Sequence, residues 1–338
     1  MAARQILRMA TVVGFVLLLF LPSPARSGQK LTKLTVGYSA IAIEQLPAWV
    51  AKETGIFAKN GLDVDLVYFP AGTTAIMALI SGGTAITENA GPETANAYLG
   101  GSDPVFIAAG RVTLAFWLVT RKDIKTPEQL KGGSVSISRF GSVSDFVARF
   151  AAQKIGLIPG KNVAIVQLGG STDRLTAIET GRNEATVLPS PVVFIAQKRG
   201  LNVMVDISEA GLPFQYTGAV TTRKFIRESP DSVRSYVKSH LEAVHLMKSD
   251  KATGMRVLTK YFGQFKDTES LAKGYDDYIT EKSLPRKQYP TLEGIKTVLD
   301  YLAEKEPKAK AIKPEELVDA RFIRELDQNG FIDALYKK

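Results

Sequence analysis

The sequence predicts an α/β protein of two similar lobes, followed by a helical C-terminal tail. Three observations carry this. A unit occurs twice: Val64–Phe69, the turn Gly72-Thr73-Thr74, a short helical pattern closed by Gly82 and an apolar run from Ala85; then Val163–Leu168, Gly170-Ser171-Thr172, a pattern closed by Gly181 and an apolar run from Ala185. Strand-like and helix-like stretches alternate up to about residue 222. Beyond Ser229-Pro230 the apolar spacing becomes helical throughout.

The elements follow in order. Leu34–Tyr38 reads as a strand, and Pro47–Lys52 opens a helix with Pro where a first turn tolerates it. Gly55–Gly61 reads as a loop. Val64–Phe69 is a strand, Thr73–Ser81 a helix, Ala85–Glu88 a strand, Pro92–Leu99 a helix and Val105–Ala109 a strand. Phe116–Thr120 reads as a strand leaving the first lobe. Thr126-Pro-Glu-Gln129 is a capping-box signature. Val135–Ser138 is a strand, and Ser142 caps a helix carrying Phe146, Val147, Phe150 and Ala151 at helical spacing. After the second repeat come a helix over Pro191–Arg199, a strand over Val203–Val205 and a returning strand over Ala219–Thr222. The tail then reads as helices over Ala252–Phe262, Thr268–Thr280, Leu292–Ala303 and Ala320–Leu326, after a first one bearing Val233, Tyr236, Val237, Leu241 and Val244 on one face. The chain order is lobe one (31–115), lobe two (116–217), lobe one again (218–338), and its two crossings form a hinge.

The N-terminus predicts export. Arg4 and Arg8 precede the apolar run Met9–Leu21, and Ala25-Arg26-Ser27 offers a small-x-small cleavage site. The run is short for a membrane span of roughly 20 residues, so residues 1–27 are expected to be a cleaved signal and the mature protein periplasmic. The chain has no Cys. A lipid attachment point, disulfides, thiolate metal sites and Cys nucleophiles are thereby excluded. The net charge is +9; loss of residues 1–27 leaves 40 Lys and Arg against 34 Asp and Glu, a net +6. The charges are dispersed and mixed in sign, without the basic patch and interleaved aromatics of a nucleic-acid binder.

Catalytic signatures are sparse. The two His residues, His240 and His245, lie five apart on different faces of one helix, which points to structural or surface roles. No HExxH, GxSxG or Walker loop occurs, so no catalytic residue, metal site or cofactor is expected. Binding features are stronger. Gly72-Thr73-Thr74, Gly141-Ser142 and Gly170-Ser171-Thr172 place hydroxyls and free N–H groups at helix N-termini, where plain capping and ligand contact are both open. Arg111 follows a strand and Arg139 precedes a helix; each can clamp an anion or form an ion pair. Glu88 is the one acid immediately ending a predicted lobe strand. Tyr38, Phe116, Trp117 and Tyr216 lie at strand ends or crossings, where aromatics can cover a ligand or pack in the core.

Several stretches together resemble the periplasmic substrate-binding proteins of ABC importers, in the nitrate, sulfonate and taurine class that includes binders of thiamine-pyrimidine precursors. They are Leu34-Thr-Val-Gly-Tyr38, Pro47–Val64 with Gly-Ile-Phe-Ala-Lys-Asn-Gly-Leu at its end, Gly72-Thr-Thr-Ala, Ala78-Leu-Ile-Ser-Gly82, Ile124–Gly132, Gly141–Asp145 and Leu188-Pro-Ser-Pro191. The similarity covers roughly residues 33 to 250. It implies the two-lobed type II periplasmic-binding fold closing on a ligand in its cleft, with the tail on lobe one. It implies a monomer that serves permease and ATPase subunits and binds no nucleic acid. The family's ligand loops fall on Ser39, Ala40, Ile41; Gly72, Thr73, Thr74; Glu88, Asn89; Arg111 to Thr113; Gly141, Ser142; and Pro189, Ser190. Arg139 and Glu88 depart from the small polar residues usual where sulfonate or nitrate is bound. Glu88 suits an amine or amidine, and Arg111 the reverse. The same fold also serves a fungal pyrimidine synthase, whose activity needs a Cys-rich motif and an active-site His that this chain does not match, and a ligand sensor is a further alternative.

Overall fold

The computed structural model describes residues 30–337, so the expected signal segment lies outside the described residues. Two five-stranded sheets organise the chain. The first has the order β2-β1-β3-β10-β4, made of β1 (Thr32–Tyr38), β2 (Leu62–Tyr68), β3 (Ile86–Asn89), β4 (Pro104–Ala109) and β10 (Gly218–Thr222). The second has the order β7-β6-β8-β5-β9, made of β5 (Phe116–Thr120), β6 (Ser134–Ile137), β7 (Ala164–Gln167), β8 (Ala185–Pro189) and β9 (Asn202–Asp206).

The two orders are the same pattern. In each sheet a central strand pairs in parallel with two neighbours (β1 with β2 and β3; β6 with β7 and β8). In each, the fourth strand in space is antiparallel to both its neighbours. That strand is always the one following a crossing: β5 enters the second sheet after β4, and β10 enters the first after β9. The sequence repeat is therefore a repeat of structure, β2–helix–β3 against β7–helix–β8. The central strand β1 lies between the two strands of the first copy, and β6 between those of the second.

The crossings run side by side. Gly110 N–H donates to the Thr217 carbonyl at 2.8 Å, and the Tyr216 and Thr217 N–H groups both donate to the Arg111 carbonyl. Arg111 N–H in turn donates to Thr217 Oγ1 at 3.0 Å.

Local signals are realised where they were specific. Thr126 and Gln129 form the reciprocal capping box ahead of Pro127–Leu130. Ser142 Oγ accepts from Asp145 N–H at the start of Val143–Lys154. Gly55–Gly61 differs from the expected loop. It contains a helical turn, Ile56–Lys59, because Gly55 takes a left-handed φ of 74° that reverses the chain, and Phe57 then buries against Tyr236 with ring centroids 5.3 Å apart.

The tail packs mainly on the first sheet. Helix Pro230–Ser249 lies against Leu46–Glu53 and presents Val233, Tyr236, Val237, Leu241 and Val244, all buried. Trp49 from Leu46–Glu53 is fully buried and stacks on Tyr261 with centroids 4.3 Å apart. Burying a ring of this size contributes roughly 1.5–3 kcal/mol. The tail is not confined to lobe one, however. Helix Thr268–Tyr278 reaches Val192–Lys198 of the second lobe, and Tyr301 meets Phe146 edge-on at 4.5 Å. A further helix, Phe331–Tyr336, follows a left-handed Gly330 beyond the last helix the sequence predicts. No helix among the described residues is long and apolar enough to cross a membrane.

Candidate functional site

The carboxyl ends of the parallel strands of both sheets face one another, and the loops there enclose a cavity. Its volume is about 50 Å³, room for a few waters or a compact molecule. Lobe one contributes Ser39, Ala42, Glu44, Gln45, Pro70, Gly72, Ala90 and Glu93. Lobe two contributes Phe116, Ser138, Ser144, Gly170, Ser171, Arg174 and Pro189, and Tyr216 stands at the crossing.

The lobes touch across this space. Val143 N–H, at the start of a lobe-two helix, donates to Glu93 Oε1 at 2.9 Å. Asn96 Nδ2 donates to the Gly141 carbonyl at 3.2 Å, and Ser171 Oγ to the Ile41 carbonyl at 3.5 Å.

Burial sets the electrostatics. Glu44 and Glu93 are 1% and 2% exposed. Loss of water pushes each carboxyl up to about 7; the neighbouring Arg111 opposes this at Glu44, and the Val143 N–H opposes it at Glu93. Arg174, also buried, is pushed down to about 10 by the same loss of water. Its Nε donates to Thr186 Oγ1 at 3.1 Å, Nη1 to the Gly169 carbonyl at 2.6 Å and Nη2 to the Val187 carbonyl at 3.0 Å. Phe116 and Tyr216 form an aromatic wall, with centroids 5.2 Å apart. Ser138, Ser142 and Ser144 join their hydroxyls in a cluster at 2.8–3.0 Å.

The expected ligand loops divide on this geometry. Ser39, Ala40, Gly72, Pro189 and Tyr216 line the cavity. Ile41 offers its carbonyl to Ser171, and Gly141 its carbonyl to Asn96. Ser142 is one step behind the wall, bonded to Ser138 and capping its helix. Thr74 Oγ1 donates back to the Ala71 carbonyl at 2.7 Å, a local turn bond. Thr73 Oγ1 and Ser190 Oγ are buried without a partner, outside the cavity lining. Asn89 clamps the loop, donating to the Gly72 carbonyl and accepting from Ala90 N–H. Arg139 is exposed and lines a shallow depression with Pro70, Ser138, Gln167 and Gly169.

Two expectations are corrected. Glu88 does not face the cavity: its Oε1 accepts from Tyr236 Oη at 2.6 Å, and His240 Nδ1 lies 4.0 Å away, behind the sheet. The strand's alternation turns this side chain toward the tail helix. Arg111 does not reach the cavity either. It donates to Glu44 Oε1 at 3.5 Å, Asp277 Oδ2 at 2.7 Å, Ser283 Oγ at 3.4 Å and Thr113 Oγ1 at 3.3 Å. These bonds, and the Tyr278 ring 5.7 Å from its Cζ, commit Arg111 and Thr113 to a network at the crossing that runs from buried Glu44 to exposed Asp277. His240 is buried, with Nε2 2.9 Å from Gln288 Oε1.

Glu44, Gln45, Glu93 and Arg174 line the cavity outside the expected ligand loops. One signal pointed to the last. When the repeats are aligned on their turns, Arg174 falls where the first copy has Ile76, a buried position of the helix. A charge replacing an apolar residue on a core-facing stripe marks a site that needs explaining. Among the described residues no group of His, Asp and Glu could hold a metal ion.

Comparison with known proteins agrees with this architecture. YtlA of Bacillus subtilis (strain 168), a protein named provisionally as a binding protein, is 25% identical over 264 residues, which cover 76% of this chain and 78% of YtlA. A solved structure from Bordetella bronchiseptica RB50 superposes with a TM-score of 0.77 at 20% identity, covering 89% of this chain and 98% of that one. The periplasmic aliphatic sulphonate binding protein SsuA from Escherichia coli gives 0.65 at 19% identity, covering 85% and 97%. The fold is thus the two-lobed type II periplasmic-binding fold. The family model described as NMT1/THI5 like matches residues 43–252, and the chain belongs to that family.

Proposed function

We propose that this protein is the exported solute-binding component of an ABC importer, capturing a small polar organic molecule between its lobes and presenting it to permease and ATPase subunits. The observation that carries this reading is the cavity itself. Both lobes line it, and three hydrogen bonds join the lobes around it. A molecule touching both walls favours the closed arrangement by its differential affinity for it. The lining suits holding more than reacting. It offers fixed hydroxyls, an aromatic wall and buried charges, and neither His belongs to it. Membership of a family with binding-protein relatives supports the same reading.

Native mass spectrometry of the exported protein, purified under mild conditions, tests it. A bound small molecule is expected, lost when Phe116 and Tyr216 are both replaced by Ala. A protein that carries none, and acquires none from a small-molecule extract of its producing cells, overturns the proposal.

A further inference from the structure

Three buried acceptor atoms on the lobe-one wall have no hydrogen-bond partner: Glu44 Oε2, Gln45 Oε1 and Glu93 Oε2. Their residues are 1%, 1% and 2% exposed, and all three line the cavity. Buried acceptors are ordinarily satisfied, and an unpaired carboxylate oxygen is among the costliest groups to leave bare. The other oxygen of each Glu is already engaged, Glu44 Oε1 by Arg111 and Glu93 Oε1 by Val143 N–H. Both carboxyls are therefore anchored through one oxygen, and each lining residue keeps one unsatisfied buried oxygen.

We infer that the cavity selects a compact organic molecule that presents an N–H-rich nitrogen group, an ammonium or amidinium, to Glu44, Gln45 and Glu93. The inference rests on the solute-binding reading above and adds the ligand's chemistry. Sulfonate and nitrate bring only acceptor oxygens, which would meet two carboxylates on this wall, where the Gln45 amide alone carries N–H donors. An ammonium has three N–H donors and an amidinium four, enough for all three acceptors. Arg174 stands on the opposite lobe with three of its five N–H groups bonded to Thr186 and to the Gly169 and Val187 carbonyls. It can serve an acceptor elsewhere on the same ligand. Phe116 and Tyr216 cover the organic part.

Titration calorimetry on the full exported protein at pH 8 tests this with ethylammonium, acetamidinium, ethanesulfonate and nitrate as probes. At least one nitrogen probe is expected to bind tenfold or more tightly than either anion, and whichever of the two binds identifies the group. Glu93→Gln is expected to weaken that probe at least tenfold, since an amide cannot match a charge-assisted bond. Glu44→Gln should do the same; because Glu44 also faces Arg111, its unliganded melting curve is measured alongside, and Glu93→Gln decides if that variant does not fold. Tighter binding of ethanesulfonate or nitrate, failure of both nitrogen probes to bind, or nitrogen binding indifferent to Glu93→Gln each overturns the inference. In those cases a small molecule found by native mass spectrometry leaves the solute-binding reading standing; its absence removes that reading as well.

Discussion

Glu93 of lobe one accepts the backbone N–H of Val143 of lobe two at 2.9 Å, and the same residue lines the cavity between the lobes. One carboxylate thus touches both the opposite lobe and the space for ligand. Val143 opens a 12-residue helix whose first N–H groups lack intrahelical partners, so the bond satisfies a group the helix itself leaves free. The helix dipole adds to the attraction for a negative charge there.

This contact makes Glu93 a latch, and its removal should open the unliganded protein. The chain has no Cys, so spin labels at Met77→Cys and Phe140→Cys report one distance only; both sites are exposed, one on each lobe. Glu93→Ala should shift the distance distribution toward longer values. A hydrogen bond to a charged group contributes about 1.5–3 kcal/mol, enough to change the open-to-closed ratio by roughly tenfold or more. Glu93→Gln keeps an acceptor oxygen and should shift it less. Identical distributions for Glu93→Ala and the parent chain would rule the latch out.

Glu93 should also leave a signature in stability against pH. Its folded-state carboxyl is pushed up to about 7 by burial, above the ordinary value of 4.5. The folded protein then holds a proton the unfolded chain has lost between these values, so stability falls as pH rises from about 4.5 to 7 and is level above. Glu93→Gln removes the titration. Without ligand, the variant should gain relative to the parent as pH rises, by up to about 3 kcal/mol at pH 8, and the gain should vanish near pH 4.5. Thermal melts across pH 4.5–8 check this. A difference independent of pH contradicts it.

The fold was more legible than the site, for a physical reason. Strand and helix signals are local: the Gly-hydroxyl-Thr turns, the Thr126–Gln129 box and the apolar periods each act within a few residues, and the shared order of the two sheets follows from their repetition. The cavity instead collects side chains from stretches far apart in sequence. Glu44 and Gln45 precede Leu46–Glu53 without a motif, and Glu93 in a first helical turn looks like routine dipole compensation. Arg111 and Glu88 misled because a strand-end position does not say which way the side chain turns. That depends on Asp277 and Tyr236, which the tail brings back from more than a hundred residues away.

Arg111 should accordingly behave as a structural residue. It is 2% exposed and bonded to Glu44, Asp277, Ser283 and Thr113. Arg111→Ala strands a buried Glu44 beside a lost cation, a change that typically costs 3–5 kcal/mol. The unliganded melting temperature should drop sharply. Arg111→Lys should recover only part of the loss, because an ammonium cannot reproduce a fork that reaches four side chains. An unchanged melting temperature in Arg111→Ala, measured by calorimetry, would show that the network contributes little.

Gly72 offers the most selective probe of the cavity's shape. It opens helix Gly72–Ile80 and lines the cavity. A Cβ there would stand 2.6 Å from Asn89 Oδ1 and 2.7 Å from Glu93 Cδ, closer than real Cβ contacts come, and Glu93 Oε1 would be nearer still. Neither neighbour is free to yield: Asn89 holds the Gly72 carbonyl and Ala90 N–H, and Glu93 holds Val143. Gly72→Ala must therefore break the lobe-one loop clamp or the latch. Overpacking of this kind costs about 1–3 kcal/mol, so a fall of several degrees in melting temperature is expected. Binding of the cavity's ligand should weaken tenfold or more as Glu93 is displaced. Gly83→Ala is the matched control in the same lobe, since the nearest atom to a Cβ there is the Ala78 carbonyl oxygen at 3.3 Å. Equal behaviour of the two variants in both melting and binding would mean that Glu93 and Asn89 move aside freely, and that the wall they form is softer than its hydrogen bonds indicate.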